Sequence, residues 1–139
     1  MRKDCTFCQI VAESTRARIV YRDDNVIAFL PLELNAKGHI VVAPTEHYAD
    51  LFDIPEDALS CLMQAVQFLA GHLKQKLNAH GVNMLHASGR AAQQSVPHFH
   101  IHLLPRFDND GLDAWPTVPE WNGNLDELLT TIKVGDEST

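Results

Sequence analysis

His98, His100 and His102 stand at alternate positions in the stretch HFHIHLLPR, with Phe99, Ile101 and Leu103 between and after them. Imidazole keeps a free lone pair near neutral pH, so it can act as nucleophile, proton carrier or metal ligand without a separate base. An α-helix turns about 100° per residue and would send His100 almost opposite its two neighbours. A strand alternates faces and sets all three rings on one side. We therefore expect a strand, with Phe99, Ile101 and Leu103 turned into a core. Pro97 and Pro105 suit its two ends, where a missing N–H is tolerated.

Three chemistries fit such a ladder. The plainest is a half-buried strand whose polar face happens to carry histidine, although rings set this close repel one another once charged. The second is metal binding: Cys5-x-x-Cys8 offers two thiolates, and a closed site needs two more ligands, which His47 and one ladder histidine can supply. A metal hydrolase using all three ladder histidines as ligands is a variant of this reading. The third is covalent: a neutral imidazole attacks phosphorus, and a neighbouring ring on the same face hydrogen-bonds the phosphate or the departing group. Peptide N–H groups of Gln94, Ser95 and Val96 would then serve the non-bridging oxygens without a basic patch.

The rest of the chain must hold these residues. At 139 residues it suits a single domain over 1–139 with a sizeable core. With 11 Lys and Arg against 18 Asp and Glu, the net charge of −7 disfavours broad binding to a nucleic-acid polymer. No apolar run is long enough to cross a bilayer, and the N-terminus lacks the apolar segment of an export signal. Three cysteines make a disulfide framework improbable, so a cytoplasmic, reducing setting is expected.

Asp4 is read as the cap of a short helix near Cys5. RIVYRDDNVIAFLPLE reads as a hairpin around Asp23-Asp24-Asn25, and GHIVVAP as a third strand between Gly38 and Pro44. A long helix follows, with Pro55 in its first turn and Gly81 as its stop; Leu59, Leu62, Val66, Leu69, Leu73 and Leu77 form one stripe. VNMLHAS and the ladder add two strands, and Asn124 with Glu127 opens a last short helix. This order predicts an α+β fold: an antiparallel sheet of about five strands with one long and one or two short helices.

QSVPHFHIHLLPR resembles the signature of the histidine triad (HIT) family, and CTFCQIVAE, VYRDDNVIAFL and GHIVVAPTEHYADLFDI follow the family's order and spacing. The resemblance covers about 5–106 and leaves the tail, 107–139, outside it. It implies the HIT-like fold and a nucleotidyl hydrolase or transferase. In that chemistry His100 attacks the α-phosphate, while His102 and Ser95 act at the reacting phosphate and leaving group. Gln94, Ser88 and Val96 fall at substrate-contacting positions, and Leu32 would wall the base pocket. Substrates would be nucleoside phosphoramidates or related compounds, such as adenylated amines or dinucleoside polyphosphates, with an AMP or GMP moiety.

The Cys-x-x-Cys pair is similar to the zinc-binding branch, implying a structural zinc on Cys5, Cys8, His47 and His98 and no cofactor in the chemistry itself. Relatives imply a homodimer. Three departures bear on the substrate: Pro31 replaces a common ribose-binding acid, Ser88 a common Asn and Gln93 a common Gly. They leave open an alternative, a nucleotide-binding scaffold or regulatory protein with negligible turnover. Outside the motifs, His39 reads as a satisfied surface or half-buried ring, His86 as a packed ring with the cleft wall as its alternative, His72 and His80 as residues of the long helix, and Arg106 as half of a surface ion pair with a phosphate contact as its alternative. Cys61 reads as a small buried hydrophobe, and Trp115 and Trp121 as packing on a subunit surface.

Overall fold

The computed structural model of the protein describes residues 2–32 and 36–135. Glu33, at the end of the stretch read as the second strand, and 136–139 of the tail lie outside these residues. Five strands form one antiparallel sheet: β1 (Arg18–Arg22), β2 (Val26–Leu30), β3 (Ile40–Pro44), β4 (Gly81–Leu85) and β5 (Ile101–Arg106). Their spatial order is β1-β2-β3-β5-β4. The helices are α1 (Thr6–Val11), the long α2 (Glu56–Leu77) and α3 (Leu125–Ile132). The α+β architecture read from the sequence is the one observed.

The hairpin turn forms because the Asp23 carboxylate accepts from the N–H groups of Asn25 and Val26, each at 2.8 Å, and so takes over donors the turn would orphan. β2 and β3 are apolar at every position because both sheet faces are covered. One face carries Val26, Ala28, Ile40, Val42, Phe99, Ile101 and Leu103 against Leu62, Val66, Leu69 and Leu73 of α2. The other packs Ile27, Phe29, Val41 and Ala43 beneath Phe7, Cys8, Ile10 and Val11 of α1. The site lies on this second face.

Several local expectations are corrected. The cap of α1 is Cys5 rather than Asp4: the Cys5 Sγ accepts from the Cys8 N–H at 3.4 Å. Pro55 is the residue before the first turn of α2, and the helix ends at Leu77, with Asn78 in the left-handed region (φ 54°, ψ 40°). Asparagine tolerates that conformation, so the stop falls before Gly81, which opens β4 instead. His80 is accordingly beyond the helix, where its Nδ1 accepts from the Asp108 N–H at 2.8 Å.

The ladder is also not one uninterrupted strand. Only His102 lies within β5, while His98 and His100 precede it in backbone that makes no sheet pairs. Alternation of sides still holds: Phe99 packs in the core beside α2 while His98 and His100 both stand against Phe7 of α1, and the Phe99 N–H donates to the Tyr48 carbonyl at 2.6 Å. Pro105 is inside β5, opposite Val82. This is tolerable because beyond Leu103 the strand is paired with β4 alone.

Gly38 marks a tight approach. Its φ is +82°, and a Cβ there would sit 2.5 Å from Leu77 Cδ1 and 2.9 Å from Pro105 Cγ. That turn lets His39 enter beside β5. At the far end, Arg106 grips Asp110 through two bonds of 2.9 Å and Asn83 of β4 at 2.8 Å, the ion pair expected for this arginine. The tail is thereby tethered along the β4 edge.

Candidate active site and metal centre

The ring nitrogens of the ladder are sorted by backbone carbonyls. The His98 Nε2–H donates to the Pro44 carbonyl at 2.9 Å, which leaves Nδ1 without a proton. That nitrogen faces two thiols, 3.4 Å from Cys5 Sγ and 3.6 Å from Cys8 Sγ. His47 Nδ1 lies 3.3 Å from Cys8 Sγ, and the other nitrogen of this ring is buried with no hydrogen-bond partner among the described residues. Ligand atoms of all four residues fall within 4.8 Å of one another. Cysteines at the cap and third positions of α1 share one side of its first turn, so the helix start itself gathers the pair.

Donors bound tetrahedrally at zinc-like distances would stand about 3.5 Å apart, sulfur to nitrogen. The observed spacings match, and the donor set of two thiols and two imidazoles is one that a closed metal site uses. Burial pushes His98 down to about 4 and His47 below its usual range, so both rings are neutral and able to ligate at neutral pH.

His100 is pinned the opposite way round. Its Nδ1–H donates to the His98 carbonyl at 2.7 Å, so Nε2 holds the lone pair. The ring is only 5% exposed and stands edge-on to Phe7 at 4.9 Å. Burial lowers its pKa, keeping it neutral. It borders a cleft of about 650 Å³ with an apolar middle of Phe7, Ile10, Phe29 and Val41. That size suits a small organic ligand.

His102 lines the same cleft, its ring 4.9 Å from that of His100. Its Nδ1 lies 2.9 Å from His39 Nε2, a distance that requires one N–H between the two rings. Burial pushes His102 down to about 4 and lowers His39 as well. His39 is a half-buried, satisfied ring, as its sequence context implies, but its partner His102 brings it into the site. The β3 alternation held the signal: Val41 faces His102, so His39, two residues earlier, shares that side.

Of the remaining candidates, Ser95, Val96 and Leu32 line the cleft. The Gln94 side chain is turned into its own loop, accepting from the Gly89 N–H at 2.8 Å and donating to the carbonyls of Ala49 and Val96 at 2.7 and 3.0 Å. It therefore shapes the loop that presents Ser95. Ser88 does not line the cleft; its hydroxyl is engaged with the Leu51 N–H at 2.8 Å and with His86. His86 packs on Phe99, as expected, but also bonds the His100 carbonyl, which sequence alone gave no means of seeing. Arg16 and Arg18 stand at the far end of the cleft with Pro31.

With this geometry in view, comparison with known proteins gives the class. The model of the HIT domain family matches residues 12–109, and the chain belongs to that family. An uncharacterized HIT-like protein of Methanocaldococcus jannaschii is 37% identical over 93% of this chain and 98% of its own length. The adenylylsulfatase HINT3 of Arabidopsis thaliana is 27% identical over 91% of this chain and 64% of its own.

Among solved structures, SMU.412c of Streptococcus mutans superposes with a TM-score of 0.84 at 30% identity, covering 94% of this chain and 82% of that one. A Zn-bound histidine triad family protein of Mycobacterium smegmatis does so with 0.76 at 33% identity, covering 80% and 81%. The family match begins after Cys5 and Cys8, so the metal corner is read from this chain's own geometry.

Proposed function

We propose that the protein is a nucleotidyl hydrolase acting on nucleoside phosphoramidates or related nucleotidyl compounds through a covalent nucleotidyl-histidine. The observation that carries this reading is the free Nε2 of a neutral His100 at the cleft, with its proton committed to the His98 carbonyl. The named activity of the Arabidopsis relative, hydrolysis of an adenylyl compound, lends support.

In the first step the Nε2 lone pair attacks the α-phosphorus and a P–Nε2 bond forms. The bond from phosphorus to the leaving nitrogen breaks, and its electron pair goes to that nitrogen. The phosphate's charge raises the pKa of nearby His102, which in protonated form gives its proton to the departing amine. His39 accepts the Nδ1–H of that charged ring. In the second step water attacks phosphorus and passes a proton back to His102, and the P–Nε2 bond breaks. A nucleoside monophosphate and a free amine result, and both rings return to their starting states.

Ser95 and the N–H groups of Ser95 and Val96 serve the phosphate oxygens. The apolar middle of the cleft, with Leu32 at its wall, takes the base. Zinc is the proposed ion for Cys5, Cys8, His47 and His98, where it would tie α1, the segment after β3 and the start of the ladder together.

The proposed assembly is a homodimer. β4 is an open sheet edge beside a groove lined by Met63, Val66, Val82 and Met84, and α3 exposes Leu125, Leu128, Leu129 and Ile132 along one face. Trp115 and Trp121 are 79% and 57% exposed in the single chain, where a partner could cover them. Sedimentation should give twice the chain mass.

Activity is tested by following nucleoside monophosphate release from adenosine and guanosine phosphoramidates and from dinucleoside polyphosphates. We expect turnover of at least one phosphoramidate, lost in His100→Ala. Tight AMP or GMP binding with no release across the panel would instead make the protein a scaffold.

A further inference from the structure

We infer that His86 is a positioning residue for the nucleophile, holding the backbone of His100 where the sheet stops holding it. The inference rests on the reading of His100 as the attacking group. The last rung between β3 and β5 joins Val42 to Ile101, and the last between β4 and β5 joins Leu85 to His102. His100 therefore lies beyond both ladders, and its carbonyl has no strand to pair with.

His86 fills that gap with a side chain. Its Nδ1 is 2.8 Å from the His100 carbonyl. A carbonyl can only accept, so Nδ1 carries a proton, and in the neutral ring Nε2 is then the acceptor. The Ser88 Oγ–H supplies that bond at 2.5 Å, and Ser88 Oγ in turn accepts from the Leu51 N–H at 2.8 Å. Every donor and acceptor in the chain from Leu51 through Ser88 and His86 to His100 is thus assigned. The His86 ring lies on Phe99, centroids 4.5 Å apart, and Phe99 is 1% exposed. The His86 ring is itself solvent-exposed, and this buried phenyl is the base on which it rests.

The two ends of His100 are now fixed independently: its ring by the His98 carbonyl and its peptide by His86. A nucleophile must meet phosphorus within a fraction of an ångström, and loss of either tether lets the ring drift. His86 is not among the residues lining the cleft, so it acts through His100 and not on substrate. Ser88 acquires a role by the same route, since its hydroxyl sets the His86 tautomer.

The test uses the full chain loaded with zinc and whichever of the adenosine and guanosine phosphoramidates the wild type turns over faster. His86→Leu should lower kcat about 10- to 100-fold with KM within about twofold, the pattern of a misplaced reacting group. His86→Asn, whose amide N–H stands near the Nδ1–H position, should recover most of that loss. Ser88→Ala should cost less than His86→Leu. Imidazole nitrogen and proton spectra give a readout independent of turnover: the hydrogen-bonded His100 Nδ1–H signal should broaden or shift in His86→Leu and return in His86→Asn.

If the wild type turns over nothing, the nucleophile reading fails while the spectra still report on positioning. If His86→Leu does not fold, His86→Asn and Ser88→Ala carry the test. Wild-type kcat and an unmoved His100 signal in His86→Leu, or in both Asn and Ala variants when Leu cannot be prepared, would overturn the proposal. So would a His86→Asn protein no better than His86→Leu.

Discussion

His98 and His100 are two residues apart on one backbone, both buried and both held neutral, yet they present opposite nitrogens. Pro44 takes the Nε2–H of the first and turns its Nδ1 to the cysteines; the His98 carbonyl takes the Nδ1–H of the second and turns its Nε2 to the cleft. Ring chemistry is identical, so the division of labour comes from which carbonyl each ring meets. The backbone geometry near the start of β5 thereby offers the proposed ligand nitrogen and the proposed nucleophile from the same kind of side chain.

The largest effect is expected at the reactive end of the ladder. His100→Ala should lose at least about a thousandfold in kcat in protein that stays folded, with a melting temperature lowered by the loss of a buried ring, because the proposed P–N bond-forming step has no substitute. Calorimetry beside the assay separates lost chemistry from lost fold. At the metal end the order should reverse. Cys8→Ser, or chelation, should destabilise the fold by about 3 kcal/mol, with activity surviving in the protein that stays folded. A chelated protein that keeps its melting temperature but loses turnover at once would move the metal into the chemistry.

A finer cut falls between the two cleft rings. His39→Gln should lower kcat roughly 10-fold by removing the partner of charged His102, with KM little changed. The smallest effect is pH-linked. His102 titrates near 4 in the fold against 6.5 in the unfolded chain, because burial disfavours its charged form; His39, His100 and His86 are the titratable groups beside it. Between those values the unfolded state binds the extra proton, so stability falls as pH drops from about 6.5 toward 4. Partial solvent exposure limits the contribution of this one ring to about 1 to 2 kcal/mol. Denaturant midpoints should fall more steeply with falling pH in wild type than in His102→Gln across that range.

Much of this was legible beforehand because it follows from short-range rules. Alternation placed Phe99, Ile101 and Leu103 in the core, the leucine stripe placed α2, and Asp23 made the hairpin turn. The Cys-x-x-Cys spacing brought Cys5 and Cys8 together through a single turn of helix. What sequence could not give are contacts set by register and by loop paths. The carbonyls of Pro44 and His98, which choose the free nitrogen, carry no side-chain signature. His86 reaches His100 only because β4 ends one residue before it, and His39 meets His102 only through the tight turn at Gly38. α2 ends at Leu77 rather than at Gly81 because Asn78 takes the left-handed conformation, a choice that asparagine permits and its side chain does not announce.

The covalent step itself is the most direct target. Protein mixed with an adenosine phosphoramidate, quenched within the first turnover and digested without acid, should yield one peptide from the start of β5 heavier by an adenylyl group, with fragmentation placing it on His100. Turnover with no adduct on any residue, or an adduct on His102 instead, would contradict the account.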